Sequence, residues 1–326
     1  MVQPPLGPPG PAQPPPVPAR PPLDFGRTFS ALFATYKARW HSFIGLGLMV
    51  GVVTFVWTTV VTGLWMWWLF ALIDRLGPDA SVAALGAVGP AVGLLCVALI
   101  PVMLAGWWAN LAICTVADAA LTEQTVTIKE ALKLTWHRLL SLIPVVAAIM
   151  VLVGLLVWAW MAWLLGSVSR LAATPNNDQA IWQVVGVSLA LIPVVLVLSV
   201  VAYFLTVKWF VTFPVMVVEQ VSLVKALGRS WQIVKGASGM VFLMILVVGF
   251  AAGMINQIVA VPGSLMMMSV GTINSPASAM AVLGQVIIGL AISLGLVCVV
   301  TAVTTPILPI LSQVVYRDRA RWAPAS

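Results

Sequence analysis

Charge is what this sequence has least of. Of its 326 residues, 8% are Asp, Glu, Lys or Arg, and 61% are hydrophobic. A soluble domain carries about a quarter charged residues, so too little polar surface is present to cover a water-exposed globule, and a membrane protein is the class that remains. Histidine is almost missing, with only His41 and His137. The three cysteines, Cys96, Cys114 and Cys298, each sit in an apolar run. An odd count closes no disulfide framework, and no CxxC or Cys/His spacing points to a metal. They read as small buried hydrophobes. A secretory signal is not expected either, because the first apolar run starts only after residue 42.

What the chain does have is proline at one end and long uncharged runs everywhere else. Residues 1–22 hold 11 prolines; each removes a donor and fixes φ, so a disordered, partly polyproline-II tail is expected. Beyond it, uncharged stretches cover 40–73, 80–117, 139–169, 179–207 and 236–316. A span takes roughly 20 apolar residues. The first four stretches suit one span each, and the last, interrupted by "PGSLMMMSVGTINSPAS", suits two. Six spans are predicted, near 43–70, 87–113, 143–166, 183–209, 240–261 and 280–304. The Met run at 266–268 reads as an apolar loop at the outer interface rather than a copper site.

The net charge of +7 is distributed as membrane topology and not as a nucleic-acid footprint, so no nucleic-acid partner is expected. Arg20, Arg27, Lys37 and Arg39 precede span one; Lys129, Lys133 and Arg138 lie between spans two and three. Lys208, Lys225, Arg229 and Lys235 surround the link from four to five, and Arg317, Arg319 and Arg321 follow span six. The opposite side has Arg75 and Arg170. By the positive-inside rule both termini are expected in the cytoplasm. Trp65, Trp67 and Trp68, Trp158, Trp160 and Trp163, and Trp182 mark the outer boundary, with Trp40 and Trp209 at the inner one.

A short motif recurs on the basic side: "ALFATY" from Ala31, "ALKLTW" from Ala131 and "ALGRSW" from Ala226. Each lies just before a span in a helix-periodic segment. Apolar residues line one face (Phe29, Leu32 and Tyr36; Ile128, Leu132 and Leu139; Leu223, Leu227 and Trp231), and Lys37, Lys129, Lys133, Lys225 and Arg229 lie away from it. That pattern belongs to a helix in the headgroup plane, or to one in a partner's groove. Thr127 with Glu130 forms a capping-box pattern, and Ser222 stands at the third N-cap position. Three helix-plus-two-span units, about 23–117, 125–210 and 221–310, then share one orientation, as parallel repeats about a pseudo-threefold axis.

The longest distinctive stretch is "FPVMVVEQVSLVKALGRSWQIVKG", residues 213–236. It resembles the membrane domain found ahead of the catalytic domain in some bacterial glycerophosphoryl diester phosphodiesterases, a domain that also occurs alone. The matching residues are Pro214, Glu219, Ala226, Leu227, Arg229, Ser230, Trp231 and Gly236; where members often have Gly after the Glu, this chain has Gln220. The resemblance implies a fold over residues 23 to about 316 and a bacterial plasma-membrane location. It implies no catalysis, since the phosphodiesterase activity belongs to a separate soluble domain for which no loop here is long enough.

A lipid-modifying enzyme needs a convergent acid, base, nucleophile or metal set. Asp118, Glu123, Glu130, His137 and Glu219 match no such spacing, so no catalytic, cofactor-binding or metal residue is assigned and no enzyme is expected. Glu219 and Arg229 suggest a structural ion pair, or two separately solvated interfacial charges. Asn110, Asn256, Gln257 and Gln285 are polar positions within spans, where they line a path or bond between helices.

The expectation is thus an all-α polytopic helical membrane protein. Its six transmembrane helices form three parallel repeats, each led by a cytoplasmic interfacial amphipathic helix, over residues 23–316. A short basic tail, 317–326, follows. The leading functional reading is a non-catalytic module whose basic face (Lys37, Lys129, Lys133, Lys225, Arg229) contacts anionic lipid headgroups or a protein partner. The other is a carrier for a small or amphipathic substrate along the axis.

Overall fold

Long uncharged runs become long helices because only a helix satisfies every backbone N–H and C=O inside hydrocarbon without a partner strand. The computed structural model describes residues 21–76, 98–173, 178–268, 292 and 295–322, and all its elements are helical. In order they are α1 (Phe25–Ala38), α2 (Trp40–Leu76), α3 (Ile100–Leu121), α4 (Ile128–Ala173), α5 (Asp178–Lys208), α6 (Thr212–Val218), α7 (Leu223–Val234), α8 (Ser238–Met268) and α9 (Ile307–Arg319). A 3-10 turn, Ala320–Trp322, ends the described chain, and residues 295–304 are also helical. Among the described residues six stretches are long and apolar enough to cross a bilayer: Trp40–Val61, Ile100–Leu121, Ile128–Leu156, Val195–Val218, Ser238–Val259 and Gly295–Arg319. The protein is a multi-pass membrane protein. The Pro-rich segment up to residue 20, the first part of expected span two (87–97) and most of expected span six lie outside the described residues.

The connections on the basic side follow from local chemistry. Asp24 caps α1 by accepting from the Arg27 N–H at 2.6 Å. Arg39 leaves helical geometry between α1 and α2 (φ −135°), and its guanidinium donates to the carbonyls of Gln124 and Val126. α3 ends in a Schellman motif: Glu123 is left-handed at φ 57°, and the Gln124 N–H reaches back to the Ala119 carbonyl at 2.8 Å. Thr127 and Glu130 then make both arms of the capping box, at 2.9 and 3.3 Å. After α6, Gln220 takes the same left-handed conformation at φ 59°. The turn occurs there without the glycine that the resemblance led one to look for. Gly236, at φ 84°, ends α7.

Two of the three motif copies occupy short helices of their own, α1 and α7. The second does not. "ALKLTW" lies in the first turns of α4, which runs unbroken for 46 residues, Pro144 included. A separate in-plane helix ahead of span three is therefore corrected: no residue between Thr135 and Leu142 leaves the helix, so the segment enters the span directly. Ser222 sits at the N-cap of α7 in extended geometry, but its side chain makes no capping bond. The Met run at 266–268 lies in the last turn of α8 rather than in a loop.

Burial concentrates at the basic end. One cluster joins Leu32, Phe43, Leu46, Leu111, Ala131, Leu142, Met216, Ala226, Ile233, Met244, Ile310 and Leu311. Farther along the spans, side chains such as Leu189, Ile192 and Leu198 face outward, about three-fifths exposed, a surface that hydrocarbon rather than water covers. α2 packs on α3, α3 on α4, α4 on α5 and α5 on α8. The helix of residues 295–304 approaches α2 where Gly47 meets Ala302: a Cβ at residue 47 would stand 2.9 Å from the Ala302 Cα and carbonyl carbon. Four residues on, Gly51 approaches the Cys298 carbonyl at an ordinary 3.6 Å. Small residues at i and i+4 permit this approach of two helix backbones.

Candidate functional site

The three motif copies come together in the buried cluster, and their positions do comparable things. The fifth-position hydroxyl is buried in each: Thr35, Thr135 and Ser230. Thr35 and Thr135 donate to the alanine carbonyl that opens their own motif, both at 2.8 Å. Ser230 instead donates to the Lys208 carbonyl, also at 2.8 Å, satisfying a backbone group left open at the end of α5. The sixth-position aromatic reaches another helix each time. Tyr36 donates to the Val303 carbonyl at 3.2 Å. Trp136 meets Trp108 of α3 edge-on, with centroids 5.2 Å apart, and Trp231 meets Phe204 of α5 at 5.9 Å.

Around this core the acids and arginines pair. Arg229 Nε stands 3.2 Å from Glu219 Oε1, with the two side chains 10% and 22% exposed. The Tyr316 hydroxyl donates to the same carboxylate oxygen at 3.2 Å, and Arg229 also donates to Gln232 at 3.4 Å. Arg229 thus makes the ion pair considered for it with Glu219, and its guanidinium is shared between that carboxylate and Gln232. The other motif copies have no cation at this position, with Ala34 and Leu134 in its place.

The described part of the expected basic tail, residues 317–322, is a structural element. Arg317 binds Asp118 through Nη2 at 2.5 Å and Nε at 2.7 Å, and Gln313 Nε2 donates to the same Oδ1 at 2.5 Å. Asp318 pairs with Arg27 of α1 at 2.5 Å, and Arg319 donates to the Pro21 carbonyl at 3.0 Å. Pro309 through Tyr316 are all buried. α9 is therefore a bolt joining α1, the end of α3 and the α6–α7 turn. The signal for it was present as "YRDR" after an apolar run, but mixed charges read equally well as a solvated tail.

Arg27, Arg229, Arg317 and Arg319 pair with carboxylates, Arg39 binds two carbonyls, and Arg138 makes no ion pair among the described residues. Lys37, Lys129, Lys133 and Lys225 are exposed, and among the described residues none of them makes an ion pair. Lys225 borders a hollow of about 250 Å³ with Glu219, Gly228, Arg229 and Gln232. A larger apolar cleft, about 720 Å³, opens between α5 and α8. Of the amides considered for a path, Asn110 and Asn256 are half-buried and Gln257 is exposed; Gln285 lies outside the described residues. Neither the hollow nor the cleft is lined by these amides. Around Asn110, Ala109, Leu111, Ala112, Ile113 and Cys114 are fully buried, so that part of α3 sits in packed core.

The carboxylates considered for catalysis do not converge. Asp118 serves α9, Glu130 caps α4 and Glu219 holds Arg229, while His137 is exposed. Among the described residues no three His, Cys, Asp or Glu side chains cluster as a metal site. No family model, curated protein or solved structure matches the chain.

Proposed function

We propose that the chain is a non-catalytic membrane module that engages anionic lipid headgroups through lysines on its basic side. The observation that carries this reading is the exposure of four lysines on the basic side, where four arginines are taken up by carboxylates. Arg27, Arg229, Arg317 and Arg319 are engaged with carboxylates of the fold. Lys37, Lys129, Lys133 and Lys225 are exposed and form no ion pair among the described residues. An ammonium on a flexible stem suits a mobile headgroup, whereas a planar guanidinium suits a fixed carboxylate.

Three further parts of the reading belong with it. The units are parallel repeats: each sixth-position aromatic contacts the span preceding its own unit in cyclic order, with the residue 295–304 helix preceding the first. The basic side is cytoplasmic in a bacterial plasma membrane, which the charge asymmetry supports. The architecture is read by analogy with the membrane domain of the glycerophosphoryl diester phosphodiesterases, on the strength of residues 213–236.

The test is lipid selectivity of the reconstituted protein, read with spin-labelled phosphatidylglycerol against phosphatidylcholine. Replacing Lys37, Lys129, Lys133 and Lys225 together by Gln should reduce the preference for the anionic lipid. With each near-surface cation contributing about 1 kcal/mol, salt should erase most of the wild-type preference. Equal, salt-insensitive preference in both proteins would refute the headgroup role.

A further inference from the structure

The 720 Å³ cleft between α5 and α8 falls within the about 300–1,000 Å³ that ligand sites occupy. Its walls are Leu196, Val200 and Val207 on α5 and Phe242 and Leu246 on α8, bridged by Tyr203, whose ring meets Phe242 edge-on at 5.1 Å. The Ser199 hydroxyl in its lining is turned back to the Val195 carbonyl of its own helix at 2.7 Å. The interior is therefore hydrocarbon-like. From Leu196 to Val207 the lining runs about 16 Å along α5, at 1.5 Å per residue. Half of a bilayer's hydrocarbon core is about 15 Å. The cleft has the length of one acyl chain in one leaflet.

A cation stands at one end. Lys208 directly follows Val207, and its ammonium donates to the cleft residue Ser238 at 2.8 Å. It is held over the rings of Phe204 and Trp231, 5.5 and 5.2 Å from their centroids. Among the described residues no carboxylate pairs with it, and an ammonium has three donors. Trp209, exposed beside it, is the residue type of the headgroup boundary. We propose that this cleft seats one acyl chain of an anionic phospholipid, with the lipid phosphate at Lys208. This seat lies apart from the exposed lysines and goes beyond their general headgroup contact.

The experiment uses the full-length protein in detergent with equal amounts of phosphatidylglycerol and phosphatidylcholine of the same acyl chains, and native mass spectrometry of the retained lipid. Wild type should retain the anionic lipid preferentially. Lys208→Gln should lower that preference about fivefold, equivalent to about 1 kcal/mol for one near-surface cation, and Lys208→Arg should keep it. Gly239→Leu reads the cleft independently of the charge. Gly239 lines the cleft and a Cβ there meets nothing within 4 Å, and leucine is the better helix former, so the variant should fold and lose retention of both lipids. Inorganic phosphate should not displace the lipid. An unchanged preference in Lys208→Gln, undiminished retention in Gly239→Leu, or displacement by phosphate alone would overturn the proposal. The quadruple-lysine variant should still retain the lipid, so the seat and the surface reading fail separately.

Discussion

Replacing Gly47 by alanine should damage this protein, and replacing Gly51 by alanine should not. Both glycines lie on one face of α2 against the helix of residues 295–304. At Gly47 the added methyl would overlap the Ala302 carbonyl oxygen and stand 2.9 Å from the carbonyl carbon and Cα; at Gly51 the nearest atom is 3.6 Å away. The two helices must separate at residue 47, while at residue 51 they absorb the methyl at ordinary contact. Overpacking costs about 1–3 kcal/mol. Alanine is also a better helix former than glycine by about 1 kcal/mol, but that gain is common to both variants and cancels in their difference. Gly47→Ala should therefore be less stable than Gly51→Ala by about 1–3 kcal/mol, measured by reversible SDS unfolding in mixed micelles followed by far-UV circular dichroism. The atoms struck at residue 302 are backbone, so Ala302→Gly should not rescue Gly47→Ala. Equal stabilities within about 0.5 kcal/mol, or full rescue by Ala302→Gly, would refute the close seam.

Three other outcomes follow from the basic side. In a double-mutant cycle of Glu219→Gln and Arg229→Met, the partly buried pair should show a coupling of about 1–3 kcal/mol, measured by the same unfolding assay; additive effects would mean that the two charges act separately. Gln220→Gly should stabilise by about 0.5–1 kcal/mol, because the left-handed conformation costs an L-residue about 1–2 kcal/mol and glycine recovers part of that; Gln220→Val should do the reverse. Ending the chain at Tyr316 takes Arg317 from Asp118, which keeps Gln313, and Asp318 from Arg27; with both arginines partly exposed it should lower stability by about 1–3 kcal/mol. A merely solvated tail would leave the unfolding curve where it was.

What the sequence revealed was what is encoded locally. Uncharged length announces a span, because burying charge in hydrocarbon is costly. The Thr127–Glu130 box was legible because both partners lie three residues apart. The recurrence of A-L-x-x-[TS]-[YW] pointed to three segments that do share one buried cluster. Whatever depended on a distant partner was harder. Glu219 and Arg229, ten residues apart, read as an ion pair or as two solvated charges, and nothing local announces Tyr316, which joins them from 97 residues away. Arg317 and Asp318 read as a tail until Asp118 and Arg27 arrive from 199 and 291 residues away. The seam at Gly47 and Gly51 carries a recognisable small-x3-small spacing, but in a chain with 25 glycines the spacing does not say which backbone approaches. The unbroken start of α4 was missed for another reason: amphipathic periodicity reports a helix's faces, not whether that helix bends before it enters a span.

The central claim is that the three motif units present their lysines on one side of the membrane, the inner one. Single cysteines at Lys37, Lys129 and Lys225, in a background with the native cysteines replaced by alanine, test it directly. A membrane-impermeant maleimide should label none of the three in intact cells and all three after permeabilisation. Labelling of any one of them from outside would contradict both the shared orientation of the units and the inward-facing basic surface.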